Sequence, residues 1–187
     1  MNAGILDRPK AEVIELAVEE AIRRLGYLNQ KAQPFLSRAL QEEHGVHPRA
    51  LSTAHRKEGE QITRDELKAL GLRANAFMSR AALAEITEVG LRNPLTAHEK
   101  TLLRAYFSVA RWRSLNAAAT GLEAANINQA AVSYRYDMLP PVCDQCRSLN
   151  GDVTTPETAQ ILPPEDCLCE TANYGIQMKI DFFHDLV

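Results

Sequence analysis

The sequence predicts a mainly α-helical protein, either a helical bundle or an elongated helical body, that ends in a small cysteine-stapled β/turn flap. Apolar residues recur at three- and four-residue steps through most of the first 139 residues, which is the period of an amphipathic helix. Only 6% of the residues are aromatic, while alanine and leucine are abundant, and this favours closely packed helices. After a proline pair at 140–141, turn-forming residues replace the helical pattern, and every cysteine of the chain lies beyond this point.

These observations divide the chain into a helical body, residues 1–139, and a C-terminal flap and tail, residues 140–187. A chain of 187 residues suits one domain with a small appendage. The tail is too short to bury a hydrophobic core of its own, so it needs a covalent or metal staple.

The first helix is predicted over residues 9–25, with Asp7 as its N-cap and Gly26 as its stop. A second helix is predicted over residues 34–44. The segment 47–60 is the most polar of the chain, and we expect a short helix or a loop with an exposed surface there.

Thr63 and Glu66 have the spacing of a capping box, which predicts a helix that begins after Thr63 and ends at Gly71. The apolar pattern then predicts a longer helix over residues 74–89. Gly90 is its expected stop.

Thr96 and Glu99 form a second capping-box pattern, which predicts the start of the longest helix, residues 97–120. A further helix is predicted over residues 122–137, where the proline pair ends it. In the tail, strand propensity is confined to short pieces such as residues 176–183.

The charge of the chain sets limits on its partners. A net charge of −3 and a pI near 6.0 provide no global positive field that would attract nucleic acid or an anionic membrane. The first residues lack the uninterrupted apolar core of a signal peptide, and no apolar run approaches the roughly 20 residues that span a bilayer. We therefore expect a chain used in a reducing cytoplasm, with no membrane partner.

The staple is predicted at Cys143, Cys146, Cys167 and Cys169, a Cys-x2-Cys pair followed by a Cys-x-Cys pair. Four thiolates satisfy tetrahedral Zn²⁺, and in a reducing compartment paired cysteines are more often metal ligands than disulfides. A closed four-sulfur set has no open coordination position, so the zinc would be structural, in a zinc-ribbon-like flap. One or two disulfides are the alternative, and free thiols or a redox pair are a third interpretation.

Turn residues lie between and beside these cysteines. The segments are Cys143-Asp144-Gln145-Cys146-Arg147-Ser148-Leu149-Asn150-Gly151-Asp152-Val153, Leu162-Pro163-Pro164 and Cys167-Leu168-Cys169. In this order they resemble the C-terminal motif of the phage head morphogenesis family, the minor head proteins related to the Mu F-like proteins. The family usually has a histidine before its last cysteine pair and an arginine within that pair, where this chain has Pro164 and Leu168.

The resemblance implies a structural component of a tailed bacteriophage or prophage particle. The expected role is that of a minor head or portal-associated head morphogenesis protein, or of a head–tail connector (adaptor). Such a protein would be assembled into the virion in the host cytoplasm, contact the portal or other head and neck proteins, and form a homo-oligomeric ring. Within the flap, Asn150 and Gly151 are expected to form a type I′ turn between two ligand-bearing strands.

The alternative function is a zinc-binding nucleic-acid-binding or regulatory protein. Arg104, Arg111 and Arg113, with Tyr106 and Trp112, are interpreted as a solvated side of an amphipathic helix, with incidental DNA contact as the other interpretation.

Neither a catalytic site nor a second metal site is expected from the remaining motifs. The chain has no nucleophile-elbow or phosphate-loop motif, so we expect that it is not an enzyme. His44, His47 and His55, with the glutamates around them, match no common zinc motif and are interpreted as a solvated polar loop.

Overall fold

The structure is a computed structural model that describes residues 5–42 and 46–182. It is about 54% helical and contains a small three-stranded sheet, which confirms the mainly α class. The chain forms two compact units, Ile14–Tyr106 and the combination of Met1–Val13 with Phe107–Val187. The sequence pattern divides the chain at residue 139 into a helical body and a C-terminal flap. That division stays a prediction. None of the described helices combines the length and the apolar character needed to cross a bilayer.

The first two helices follow the prediction closely. Helix α1 spans Lys10–Leu25, and Gly26 ends it with a φ of +62°, a left-handed conformation that favours glycine. Helix α2 spans Gln33–Gln41. Its expected C-terminal end at His44 lies outside the described residues. Together with Glu20, six apolar residues of α1 are buried: Val13, Ile14, Ala17, Val18, Ala21 and Ile22.

The polar segment 47–60 contains helix α3, Pro48–Lys57. Helix α4, Arg64–Ala69, begins with the predicted capping box: the Thr63 amide donates to Glu66 Oε2 at 2.7 Å, and the Glu66 amide donates to Thr63 Oγ1 at 3.3 Å. This capping prediction is confirmed. The pair satisfies two amides that the first helical turn would otherwise leave without a partner.

The predicted helix over residues 74–89 is wrong, because only α5, Arg80–Glu85, is helical there. The Ser79 hydroxyl caps α5 by accepting a hydrogen bond from the Ala82 amide at 3.2 Å. Just before this cap, the Met78 carbonyl accepts from the amide of Ile62 at 3.0 Å. Hydrogen bonding to a distant segment therefore replaces the first turns of the predicted helix.

Helix α6 spans Pro94–Ala124 and is 31 residues long. Its predicted capping box is wrong, because the helix begins at Pro94 and Thr96 lies inside the first turn, where its hydroxyl donates to the Asn93 carbonyl at 3.1 Å. A proline is well suited to the first helical position because no helical hydrogen bond is expected from its nitrogen. Gly121 lies within α6 and does not end it.

The helix predicted over residues 122–137 is also wrong, since strand β1, Val132–Met138, occupies most of its second half. The β-branched and aromatic side chains of Val132, Tyr134 and Tyr136 alternate with polar ones, and both tyrosines are buried. This two-residue period is that of a strand with one face on the core.

A short helix and two more strands complete the C-terminal unit. Helix α7 spans Asp144–Ser148, strand β2 spans Val153–Thr154, and strand β3 spans Tyr174–Ile180. Both strands pair antiparallel with β1, giving the order β2-β1-β3. Strand β3 confirms the strand propensity seen near residues 176–183.

The expected type I′ turn is wrong, because Gly151 alone of the Asn150-Gly151 pair has a positive φ, of +84°. A helix rather than a strand precedes this pair.

Candidate metal centre

The first cysteine pair lies at the start of α7. Cys143 has an extended backbone, with φ −73° and ψ 168°, and directly precedes the helix, while Cys146 lies inside it. The Arg147 amide donates to the Cys143 carbonyl at 2.9 Å and closes this first turn. One helical turn therefore presents the two side chains on the same side.

The second pair follows a proline-containing turn. The Cys167 amide donates to the Pro164 carbonyl at 2.9 Å, which closes that turn. The Cys143 amide donates to Cys169 Sγ at 3.1 Å, so the main chain of the first pair binds a sulfur of the second. A backbone amide directed at a sulfur stabilises the thiolate form of that sulfur.

The four cysteine sulfurs lie within 4.8 Å of one another. Cys146 Sγ is 3.4 Å from Cys167 Sγ and 3.9 Å from Cys169 Sγ. Sulfurs bound tetrahedrally at about 2.3 Å from one Zn²⁺ are about 3.8 Å apart, whereas a disulfide joins sulfurs at about 2.05 Å. The structure thus brings together the whole predicted set at metal-binding separations, and all four cysteines are free of disulfides.

Burial and the proximity of the other sulfurs disfavour the charged thiolate form of most of these cysteines. Burial, followed by the nearby Cys167 sulfur, raises the pKa of Cys146 above its usual range, and burial also raises the pKa of Cys169. Burial acts in the same direction on Cys143, but hydrogen bonds from the Cys146 and Leu168 amides outweigh it and lower the pKa of Cys143 to about 6. A bound cation is what would stabilise four thiolates in so small a space.

Aromatic residues surround the cluster. Tyr136 and Tyr174 pack against Cys146 and Cys167, and their ring centroids lie 6.1 Å apart in an edge-on arrangement. The Tyr136 hydroxyl accepts a hydrogen bond from the Gln160 amide at 2.6 Å. Burial raises the pKa of Tyr174, so this phenol stays neutral. Cys146 and Cys167 therefore lie in a dry, apolar environment, which suits soft sulfur ligands, while Cys143 and Cys169 are partly exposed.

Arg111 is buried and belongs to this site, which corrects its interpretation as a solvated residue. It is only 4% exposed, and its guanidinium donates to the carbonyls of Ile161 at 2.7 Å, Ala172 at 3.0 Å and Tyr174 at 3.2 Å. It also lies over the Tyr174 ring, 3.9 Å from the centroid. Arg111 thus connects α6 to the main chain on both sides of the second cysteine pair.

Arg104 is likewise buried, so the predicted basic face of the helix does not form with these two arginines. Its side chain is fully buried and binds both carboxylate oxygens of Glu20, with Nη2 2.7 Å from Oε1 and Nε 2.9 Å from Oε2. The sequence carried no signal for this burial, because most of the residues on this side of the helix are polar or charged. Five buried positions follow one another at three- and four-residue steps: Thr101, Arg104, Ser108, Arg111 and Leu115.

The histidine segment differs from the solvated loop expected for it. His55 lies on α3, and its ring stacks on Phe35 at 3.8 Å between centroids. His55 Nε2 and His98 Nε2 each lie 2.8 Å from Glu85 Oε2. His47 is the N-cap of α3, where Nδ1 accepts from a backbone amide. His44 lies outside the described residues.

The sequence pattern did not identify Glu85 and His98 as site residues, because residues that come together with them in the fold lie far away in the chain. Burial lowers the pKa of His98. Burial alone would raise the pKa of Glu85, but the hydrogen bonds with His55 and His98 lower it. No signal in a single sequence connects three such positions.

Comparison of the chain with known protein families, with curated proteins and with solved structures finds no match.

Proposed function

We propose that this chain is a structural component of a tailed-phage or prophage particle, acting by protein–protein contact as a minor head, portal-associated or head–tail connector protein. The observation that carries the proposal is the convergence of the Cys-x2-Cys and Cys-x-Cys sulfurs, within 4.8 Å, in a segment that also has the Asn-Gly and Pro-Pro order of the phage head morphogenesis motif. A catalytic role is not part of the proposal.

In this proposal the cysteines hold a structural Zn²⁺. Four sulfurs form a soft and complete tetrahedral donor set, with no position left for water or substrate. The departures from the family at Pro164 and Leu168 do not reduce this set. The metal would replace the hydrophobic core that a zinc-ribbon-like segment of this size lacks.

The metal content of protein purified under reducing conditions, together with a free-thiol count, tests the zinc part. We expect Cys143→Ser to hold one equivalent of zinc less than the wild type. Gln145→Ser is the matched control, since it changes an exposed side chain of the same helix, and it should keep the metal. Metal-free protein with no free thiols would indicate disulfides instead.

Exposed apolar side chains on the C-terminal unit support a role in protein contact. Leu139, Val153, Leu168 and Phe182 are 52%, 60%, 78% and 78% exposed. Single exposed apolar residues are ordinary. These four are the most exposed large apolar side chains among the described residues, so they are the positions that we expect a partner to cover. Leu168 is the most direct probe, because it lies between two of the cysteines and its side chain is largely exposed.

Co-expression with the portal, head and neck proteins encoded by the neighbouring genes tests the structural role. We expect the chain to co-purify with one of them or to form a ring-sized oligomer, and Leu168→Ser to weaken that association while keeping the zinc. A wild-type chain that remains monomeric and binds none of these partners would contradict the proposal.

The nucleic-acid alternative has less support, because Arg104 and Arg111 are committed to buried contacts. It predicts an affinity for nucleic acid that falls steeply as salt increases. A steep salt dependence of this kind, together with absent partner binding, would favour the alternative over a particle protein.

A further inference from the structure

A second set of metal-type ligands is buried in the unit Ile14–Tyr106. Three elements supply it: α3 carries His55, the last position of α5 is Glu85, and α6 carries His98. Each histidine directs Nε2 at the same carboxylate oxygen, Glu85 Oε2, at 2.8 Å. The donor atoms all lie within 4.8 Å of one another.

The Glu85 carboxylate is nearly buried, with 11% of its side chain exposed, and these two imidazoles are its only hydrogen-bond partners in the part of the chain that the structure describes. Arg56 is buried next to His55, but its guanidinium donates to Thr53 and not to Glu85. A buried carboxylate is stabilised by positive charge close to it. A metal ion between the three donors would supply that charge directly.

Neighbouring side chains hold the ligands in place. The Phe35 ring is parallel to that of His55, within 8°, and meets His98 edge-on at 6.0 Å. His98 has no solvent exposure and sits near the start of the long helix α6. Rigid elements and packed rings restrict the ligand geometry before a metal arrives, which favours metal binding.

A cavity of about 160 Å³ borders His55 and is also lined by Arg38, Glu42 and Glu58. Both glutamates are exposed, and Arg38 offsets one of their charges. His55 is the ligand that this cavity reaches, and the net negative charge of the lining favours the approach of a cation.

We propose that His55, Glu85 and His98 bind a divalent transition-metal ion, with Zn²⁺ as the closest match, through the two Nε2 atoms and the Glu85 carboxylate. Two imidazoles and one carboxylate are a common donor set for such ions, and three protein ligands leave a fourth position for water. This site is separate from the four cysteines in its ligands and in its compact unit, and it does not depend on the proposed phage function.

Cobalt substitution distinguishes the two sites in the wild-type chain. The protein is stripped of metal and reloaded with one equivalent of zinc, so that the thiolate site, which prefers zinc, is filled before Co²⁺ is added. We expect visible d–d absorption of Co²⁺ without the thiolate-to-cobalt charge-transfer band. If no d–d absorption develops, the proposal is overturned, and the three side chains form a hydrogen-bonded polar cluster only.

Metal content of variants gives an independent readout. The wild type should hold two equivalents, and His55→Gln and Glu85→Gln should each hold one. The matched control is His47→Gln, which removes an exposed histidine outside the cluster and should keep two. Cys146→Ser should lose the other equivalent and keep the cobalt spectrum described above. Equal metal content in wild type and His55→Gln would refute the site, because His55 is the least buried ligand and its replacement perturbs folding least.

Discussion

Glu20 and Arg104 are charged residues that the fold buries, although Arg104 was expected on a solvated side of its helix. Both are buried, and the guanidinium binds both oxygens of the carboxylate. Charge alone suggested a solvated position for Arg104, since a single sequence shows the helix face but not the partner that neutralises the charge. The cysteines were easier to predict, because their function depends on local spacing and on a residue type that has few other uses.

Removal of one member of this ion pair should be strongly destabilising. Glu20→Gln leaves a buried guanidinium without its counter-ion, and we expect the free energy of unfolding to fall by about 3 kcal/mol or more. Denaturant titration measures the change. Glu12→Gln is the control, because Glu12 forms an exposed ion pair with Arg8, in which the side chains of Arg8 and Glu12 are 37% and 50% exposed. This substitution should lower the free energy of unfolding by less than about 1 kcal/mol.

The double variant Glu20→Leu with Arg104→Leu separates the two contributions. Replacing a buried pair with apolar residues is often close to neutral, so this variant should be much more stable than Glu20→Gln. Equal destabilisation by the single and double variants would show that packing, not the unpaired charge, is responsible.

Arg111 supports the second cysteine pair from outside the four-cysteine cluster. Arg111→Met removes three hydrogen bonds to main-chain carbonyls and should cost about 3 kcal/mol, because buried acceptors lose a charged donor. Hydrogen exchange should rise in residues 159–174 and stay unchanged in residues 14–106. The control Arg135→Met removes one exposed bond to Gly151, and we expect a loss of at most about 1 kcal/mol.

At the scale of elements, predictions succeeded where the deciding interactions are short-range. The Thr63 capping box and the Gly26 stop depend on residues within one turn, and both are present. The helix predicted over 74–89 failed because a backbone bond from Ile62, far away in sequence, takes the Met78 carbonyl. The helix predicted over residues 122–137 failed because the sequence there fits both a helical and a strand period. Pairing of β1 with β3 decides in favour of the strand.

The capping box of α4 should make stability depend on pH. The amide of Thr63, and after it the guanidinium of Arg80, lowers the pKa of Glu66 to about 2. The folded carboxyl therefore binds its proton less readily than the unfolded one, whose pKa is near 4.5. This contribution is fully present above that value and is lost as the pH falls from about 5 to about 2.

The unfolding free energy of wild type and of Glu66→Gln, measured across this range, checks the expectation. The difference between the two proteins should shrink towards pH 2, and since Glu66 is exposed, added salt should reduce it. Glu88→Gln changes an exposed glutamate of the same unit and should leave the pH dependence intact. A pH-independent difference between wild type and Glu66→Gln would contradict this account.

At the scale of the whole molecule, each compact unit contains its own cluster of metal-type donors, cysteine sulfurs in one and imidazoles with a carboxylate in the other. Composition predicted the mainly α class because it reflects the whole chain. It did not predict that α1 and α6 would each contribute residues to both units, since unit boundaries depend on which distant segments pack together.

Loss of the thiolate cluster should destabilise one unit and spare the other. In Cys167→Ser we expect faster hydrogen exchange over residues 132–180 and unchanged exchange over residues 14–92, because a structural metal stabilises chiefly the segment that binds it. Gln145→Ser should behave like the wild type. Uniformly faster exchange in both units would show instead that the chain unfolds as one cooperative block.

The contacts of Arg111 also bear on how this segment can evolve. Three of its hydrogen bonds are accepted by carbonyl oxygens, a group that every amino acid possesses. Side chains at Ile161 and Ala172 are therefore free, as far as these bonds are concerned, to change over generations without loss of the anchor. A relative of this chain would then be recognised by an arginine on the long helix and by its cysteine spacing, even where the intervening residues have diverged beyond alignment.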